Sequence, residues 1–415
     1  RSSAASDVYK RQEYLHCYML ATENEISIDE LLIAGMKNRM PAMPRISKWV
    51  YSIYKLWAVY ILLMIFFILG GFILYPILKF IIAVCGKIKT KKRYLTNKNG
   101  FYYFSFSEIG TEQVITYFKK NKSTENELNI IAPLSCKSKH NDTVISLYEV
   151  VSYYEIFKSM LLSISTFLYF FKSVNHLKWV LQIYTAPSWF LVAIALNKIQ
   201  GEIVSSEHYD RWAVLIDVIS GKKKNRYTLV QHGSLKALDS NAYLAFQIPY
   251  KLKHVGKIVV FDELEYKFFS DKILDPSLTE IIEVEYSKPE LSLSQVTSSQ
   301  LTLLFIGHSL CEKEQLRICS QINRKINNCT IYYKEHPKAR ASLEVRNFNF
   351  NFITDDRFFP DVDIVISYPS TLAYQYEEKG IPVLFHGLHV VHSDEVDEIV
   401  AKVILNWGKY EESKL

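Results

Sequence analysis

Four apolar runs decide the fold: LTLLFIG at 301–307, CTIYYKEHP at 329–337, DIVISYPST at 363–371 and IPVLF at 381–385. Each is short, rich in β-branched and aromatic residues, and bounded by turn formers, the pattern of a strand buried on both faces. Between them lie a helical stretch over 311–327, a further strand in FNFITD at 350–355, and a helix running to Glu378. Strands alternating with helices predict a parallel sheet covered on both sides. Working back toward the N-terminus, the pattern recurs in NIIAPL (129–134), GEIVSSE (201–207), AVLIDVI (213–219), YTLVQHG (227–233) and KIVVFD (257–262), then a helix over 263–272. The stretches at 146–172 and 176–199 are long and apolar, but Glu155 and Lys158 interrupt the first and Pro187 breaks the second. Both read as buried or membrane-skimming helices of a soluble domain.

The expected architecture is therefore α/β: two Rossmann-like domains facing across a cleft, preceded by an N-terminal transmembrane helix. The first domain takes 99–286, the polar stretch SKPELSLSQVTSSQ at 287–300 is a linker or edge strand, and the second takes 301–415. Ligands in such sheets bind beyond the carboxyl ends of the strands, so strand-end residues are the ones to inspect.

The membrane segment is read from 23 consecutive uncharged residues, Leu56 to Leu78. As a helix they span roughly 34 Å, enough for a hydrocarbon core of about 30 Å. Trp49, Tyr51, Tyr54 and Trp57 sit at the leading edge, where amphipathic rings favour the interface, so the membrane helix is set at 49–85. Gly70-Gly71 and Pro76 leave open a kinked or re-entrant helix instead of a single pass. The basic stretch at 86–98, with Lys87, Lys89, Lys91, Lys92, Arg93 and Lys98, outweighs Lys37, Arg39, Arg45 and Lys48 on the other flank. The heavier positive side stays cytoplasmic, which places the remainder on the cytoplasmic face of the bacterial inner membrane, touching lipid through 56–78 and 87–98.

Net charge agrees. The 415 residues carry 49 Lys plus Arg against 43 Asp plus Glu, a balance of +6. The run from Lys87 to Lys98 holds six basic residues and no acidic one, so everything outside it sums to zero. That excludes a basic nucleic-acid surface spread over the protein. The six cysteines are scattered, with no C-x-x-C and no zinc-ligand spacing. Residues 1–12, RSSAASDVYKRQ, resemble an adaptor-derived run and are set aside. The natural start is then expected within the segment 13–48, with Met36, Met40 and Met43 as candidates.

Three strand ends carry candidate chemistry. In Val230-Gln231-His232-Gly233-Ser234 a strand stops at a histidine, and Gly233 permits a sharp turn or a close approach to ligand. In Lys334-Glu335-His336-Pro337-Lys338 another histidine ends an apolar strand, with Pro337 stopping it. In Ile366-Ser367-Tyr368-Pro369-Ser370-Thr371 a strand leads into a helix whose start, with hydroxyls and first-turn N–H groups, suits a phosphate. A strand-end histidine is also a common structural residue, and Ser-Thr before a helix is also a plain cap. The combination suits a phosphate-rich ligand.

QHG, then His-Pro, then S-x-P-S-T ahead of G-I-P-V, in that order over roughly 200–385, resembles bacterial glycosyltransferases of the GT-B fold. The capsule and lipopolysaccharide enzymes, bacterial sialyltransferases and CDP-glycerol glycerophosphotransferases share the pattern. The resemblance implies a nucleotide-sugar donor of CMP or CDP type, a surface-polysaccharide or lipid-linked glycan acceptor, and no cofactor. It implies that His336 contacts the donor phosphate beside Pro337, Ser367, Ser370 and Thr371, and that His232 faces the acceptor as base, with Glu207 and Asp210 as rival bases. Related sequences place Glu where this chain has Gln375, the position associated with the nucleotide ribose; Glu377 or Glu378 could substitute. Asp361-Val362-Asp363 precedes its strand and is expected at the amino end of the sheet, so no metal site is expected. Lys222-Lys223-Lys224 reads as a solvated loop. Polyol-phosphate transfer, a hydrolysing sugar-nucleotide epimerase and a catalytically silent scaffold remain as alternatives.

Overall fold

The computed structural model describes residues 2–34, 57–95, 100–120, 128–132, 144–173, 177–234, 246–278, 281–288, 290–296, 298, 300–326, 328–336, 341–355, 358–387 and 393–412. The chain divides into two compact units, Arg1–His232 with Ser240–Lys288, and Gly233–Asp239 with Pro289–Leu415.

The first unit holds a parallel sheet of seven strands: β1 (Phe101–Phe104), β2 (Leu128–Ala132), β3 (Val144–Ser146), β4 (Glu202–Ser205), β5 (Tyr227–Val230), β6 (Lys257–Val260) and β7 (Glu283–Tyr286). Their order, β3-β2-β1-β4-β5-β6-β7, reverses direction between β1 and β4. Phe101–Phe104 and Glu283–Tyr286 were not expected as strands. AVLIDVI at 213–219, expected as β-rich, is instead the body of a helix, Arg211–Lys223. Ala213, Val214, Leu215, Ile216 and Ile219 are all buried, so the helix is apolar nearly all round and its period is erased. Asp210 starts it, its carboxylate accepting the N–H groups of Trp212 (2.9 Å) and Ala213 (3.0 Å). Lys222 and Lys223 belong to its last turn instead of a solvated loop: Lys222 pairs with Glu13, and Lys223 Nζ donates to the carbonyls of Asn197 and Ile199.

Counting helices in chain order, α1 is Ser2–Ala34, α2 Trp57–Phe66, α3 Phe72–Ile88, α4 Glu108–Lys120, α5 Leu147–Val150, α6 Tyr153–Ser173, α7 Ala186–Leu196, α8 the Arg211–Lys223 helix and α9 Glu263–Phe268. α1 packs into the core of this unit. Tyr18 is fully buried, its ring 5.2 Å from Trp189 and 5.5 Å from Phe190. Its hydroxyl donates to the Gln182 carbonyl (3.1 Å) and meets Thr185 Oγ1 at 2.8 Å. Asn24, also buried, exchanges two hydrogen bonds with the Tyr250 backbone, at 2.9 and 2.8 Å.

The apolar segment follows α1, so it is not N-terminal. Ile61–Ile88 is the one stretch among the described residues long and apolar enough to cross a membrane, 28 residues at mean hydropathy 2.7. It runs ten residues past Leu78, taking in Lys79 and Lys87. The Gly70-Gly71 pair forms the end of a π-helical turn, Phe67–Gly71, between α2 and α3, and Pro76 lies inside α3. The long apolar stretches resolve as α5 with α6, and as a 3-10 segment (Leu177–Thr185) running into α7, with Pro187 in the first turn of α7.

The second unit holds five parallel strands: β8 (Leu301–Ile306), β9 (Cys329–Lys334), β10 (Asn351–Ile353), β11 (Ile364–Ser367) and β12 (Val383–Phe385), ordered β10-β9-β8-β11-β12. Here the reversal falls between β8 and β11. Its helices are α10 (Glu312–Lys325), α11 (Leu343–Arg346), α12 (Thr371–Glu378) and α13 (Ser393–Glu412). Every residue of β8 is buried: Leu303 and Phe305 join the core with Ile318, Ile322 and Val400, while Leu304 and Ile306 join the one with Val365, Ala373 and Tyr376. A strand covered on both faces is what an unbroken apolar run encodes. At the amino end, Asp363 Oδ2 accepts both the Thr302 N–H and hydroxyl at 2.7 Å, pinning β11 to β8. Within 287–300, Leu291 is buried in the second core and Ser294 exchanges backbone bonds with Phe359 (2.7 Å) and Asp361 (2.8 Å).

Candidate functional site

In the second unit the carboxyl ends of β9, β8 and β11 are adjacent, and each delivers an aromatic or imidazole group. His336 follows β9, His308 follows β8 and Tyr368 follows β11. The His308 ring lies 5.0 Å from His336 and 5.5 Å from Tyr368. This is the point where the strand order reverses, the position at which open parallel sheets bind ligands. His308 was missed in the sequence, although Gly307-His308 closes LTLLFIG as His232 closes YTLVQ; the signal lay one residue past the run. Gly307 keeps the corner tight: a Cβ there would meet the Tyr333 hydroxyl at 2.0 Å. Tyr333 is itself buried and donates to Gln315 Oε1 (3.2 Å), whose amide donates in turn to the Ile306 carbonyl (2.9 Å).

The Leu310 N–H donates to His308 Nδ1 at 3.2 Å, so Nδ1 carries no proton and Nε2–H is the donor of that ring. Beside it begins α12. Ser370 caps it, Oγ accepting the Ala373 N–H at 3.2 Å, and Thr371 Oγ1 accepts the Ser234 N–H at 2.9 Å within the same unit. The first-turn N–H groups of a helix have no carbonyl partner inside it and carry the positive end of the dipole. Imidazole donors and a helix start thus share one corner of the sheet, an arrangement able to hold a phosphate.

Not every expected residue joins it. Ser367 is fully buried and its hydroxyl donates to the Tyr368 carbonyl at 2.6 Å, which removes it from the ligand side. Gln375 sits one turn into α12 on the face of Thr371, as does Glu378, whereas Glu377 is rotated away from that face at about 100° per residue. Pro337 lies outside the described residues. Glu335, ahead of it, accepts the Ala341 N–H on Oε2 (2.9 Å) and pairs with Arg346 (2.7 Å).

In the first unit the corresponding strand ends are those of β1, β4 and β5. His232 follows β5; its Nδ1 meets the Ser206 carbonyl, so that nitrogen carries the proton and Nε2 is the basic one. Its backbone N–H donates to His208 Nε2 at 3.2 Å, with the rings 4.4 Å apart. Burial, then His232, pushes the buried His208 imidazole well below its ordinary range, so it stays neutral. His208 was also missed, one residue past the quoted GEIVSSE. Glu207 accepts from Ser107 Oγ at 3.5 Å, at the start of α4, where a Cβ on Gly110 would meet Ser206 Oγ at 2.2 Å. Asp210 is given a structural task by capping α8. Burial first, then Glu207 and Glu25, raise its carboxyl well above the usual range. Gly233 does not have the conformational need expected of it: its φ is not positive, and an added Cβ would make only an ordinary 3.9 Å contact with Thr371 Oγ1. Among the described residues, no group of three His, Cys, Asp or Glu could hold a metal ion.

No protein-family model matches the chain, and no curated protein matches it. Among solved structures it is similar to HepE from Anabaena in complex with UDP and glucose, at 11% identity and a TM-score of 0.43, covering 75% of this chain and 92% of that one. It is also similar to the lipopolysaccharide outer core galactosyltransferase WaaB (9%, TM-score 0.38, 75% and 90% covered) and to MurG from Acinetobacter baumannii (11%, TM-score 0.34, 73% and 82% covered). Likeness at this level says nothing about what this chain acts on.

Proposed function

We propose that the protein is a glycosyltransferase taking a sugar from a CMP- or CDP-activated donor and passing it to a surface polysaccharide or lipid-linked glycan. It would work at the cytoplasmic face of the bacterial inner membrane, attached through Ile61–Ile88 and the basic residues that follow. The observation that carries this reading is the meeting of His308, His336 and the Ser370-capped start of α12 at the reversal point of the second sheet. The motif order in the sequence, which resembles capsule and lipopolysaccharide enzymes, supports it.

In this reading the donor phosphate lies against the first-turn N–H groups of α12, with the His308 Nε2–H and His336 as side-chain donors. Gln375 reaches the ribose. As the bond from the anomeric carbon to the phosphate oxygen breaks, the nucleotide leaves with the electron pair, and the donors stabilise the charge that grows there. The acceptor hydroxyl oxygen bonds to the anomeric carbon, and its proton passes to Nε2 of His232. The neutral His208 fixes the backbone of that base.

Thermal shift against CMP, CDP, UDP and GDP is the test. A cytidine nucleotide is expected to raise the melting temperature of the wild type, and His308→Ala and His336→Ala to abolish that rise. Absence of a shift with every nucleotide, or an undiminished shift in both variants, refutes the reading. Turnover of cytidine-activated donors should then fall in His232→Ala with nucleotide binding retained.

A further inference from the structure

We infer that α3 and α6 together form one membrane-seated face, and that the apolar segment enters and leaves the bilayer on the same side instead of crossing it. The inference rests on the membrane-attachment part of the reading above and adds the second helix and the topology.

Both helices expose a run of large apolar side chains on the side where a soluble amphipathic helix is polar. On α3, Ile73, Leu74, Ile77, Leu78, Ile81 and Ile82 are exposed, while the charge of Lys87 points inward, its Nζ donating to the Tyr148 carbonyl at 2.8 Å. On α6 the buried side mixes Ile156, Leu162, Phe167 and Phe170 with Ser159, Ser163 and Thr166, whose hydroxyls donate to carbonyls three or four residues back. Its exposed stripe is Tyr154, Phe157, Leu161 and Leu168. The two helices run antiparallel: Phe72 stacks on Phe167 at 4.1 Å and Phe80 meets Phe157 at 6.1 Å. Their apolar stripes therefore lie on neighbouring helices of one unit. Exposing such stripes to water is costly, and hydrocarbon removes that cost.

The occupant is fixed by the end of the face. Where α3 finishes, the exposed Lys89, Lys91, Lys92 and Arg93 follow at once, and Lys92 lies 4.6 Å over the Tyr94 ring. At the matching end of α6 stand the exposed Tyr153 and Tyr154. Cations with tyrosines at the border of an apolar face are the signature of an anionic headgroup layer.

Topology excludes a single pass. α1 precedes the segment and β1 follows it, and both are packed in the same unit, Tyr18 against Trp189 and Asn24 on Tyr250. A single crossing would put these flanks on opposite sides unless the chain crossed back between α1 and α2. Residues 35–56 carry Lys37, Arg39, Arg45, Lys48 and Lys55 with Pro41 and Pro44, a composition that cannot cross hydrocarbon.

The full chain, expressed in bacterial inner membrane, allows both parts to be tested. With His16→Cys and Lys91→Cys, both exposed positions, labelling by a membrane-impermeant maleimide is read peptide by peptide by mass spectrometry. Both cysteines are expected to label in inside-out vesicles and neither in intact spheroplasts; one on each side overturns the same-side topology. Separately, benzoylphenylalanine replaces Ile77, Leu161 or, as a control in the second unit, Leu405. Photo-crosslinks to lipid are expected from 77 and 161 and not from 405. Lipid adducts at 77 alone overturn the role of α6, and adducts to a second copy of the chain make the face a dimer interface instead. No lipid adduct at either position, with the chain in the soluble fraction, overturns membrane attachment itself while leaving the nucleotide-binding test above unaffected.

Discussion

Replacing His208 with Gln should change how the first unit responds to acid. His208 is buried beneath the base candidate, accepting the His232 N–H, and burial holds its pKa well below the ordinary 6.5. Unfolding exposes the ring, which then takes up a proton at its ordinary pKa, so below that value the unfolded state binds more protons than the folded one. Stability from this group is therefore complete above about pH 6.5 and is lost as pH falls below it, at up to about 1.4 kcal/mol per pH unit. His208→Gln keeps an acceptor for the His232 N–H but cannot titrate. Asp210 and every other group remain, so the difference between the two proteins isolates the imidazole. Between about pH 7.5 and about pH 5.5, the wild type should lose about 1.4 kcal/mol relative to the variant. Urea melts followed by the fluorescence of Trp189 and Trp212, both in this unit, measure it. A wild-type-to-variant difference that stays constant across the two pH values refutes the picture of a buried neutral His208.

Tyr18→Ala should cost about 3–5 kcal/mol in the same melts, because it removes a ring packed on Trp189 and Phe190 from a fully buried site. Tyr18→Phe should cost only about 1 kcal/mol, the loss of its hydroxyl's bonds to Gln182 and Thr185. A neutral Tyr18→Ala would show that α1 is not part of the unit. Gly307→Ala forces the buried Tyr333 ring aside, an overpacking cost of about 1–3 kcal/mol, and should weaken nucleotide-induced stabilisation by moving His308; calorimetry with and without the nucleotide reads both. Asp217→Asn should destabilise the first unit by about 1–3 kcal/mol, since its carboxylate accepts the N–H groups of Lys253 and His254 and the Tyr250 hydroxyl, and an amide cannot accept all three.

The sheets were legible where burial on both faces leaves an unbroken β-branched run, as in β8 and β11. They were illegible where a strand is short and aromatic, as in Phe101–Phe104, or barely buried, as in Glu283–Tyr286. α8 was misread because its burial erases the helical period, leaving the Asp210 cap as the only sign. At the candidate site, His232, His336 and the Ser370 helix start could be named because each sits at a strand or helix end. His308 and His208 also follow strand ends, two or three residues past β8 and β4, but each lies just beyond the apolar run that drew attention, and only the sheet order brings them against His336 and His232. Ser367 shows the converse: its position in a motif was visible, but the direction of its hydroxyl was not.

The packing of α1 also sets an order of events during synthesis. Tyr18 waits for Thr185, 167 residues later, and Asn24 for Tyr250, 226 residues later. At about 5–20 residues per second, Asn24 leaves the ribosome about 11–45 s before its partner exists. The apolar α3 emerges within that interval, before the helix it lies against has been made. Its apolar side is then made well before the partner that covers part of it, so the chain carries this segment through synthesis ahead of the fold that holds it.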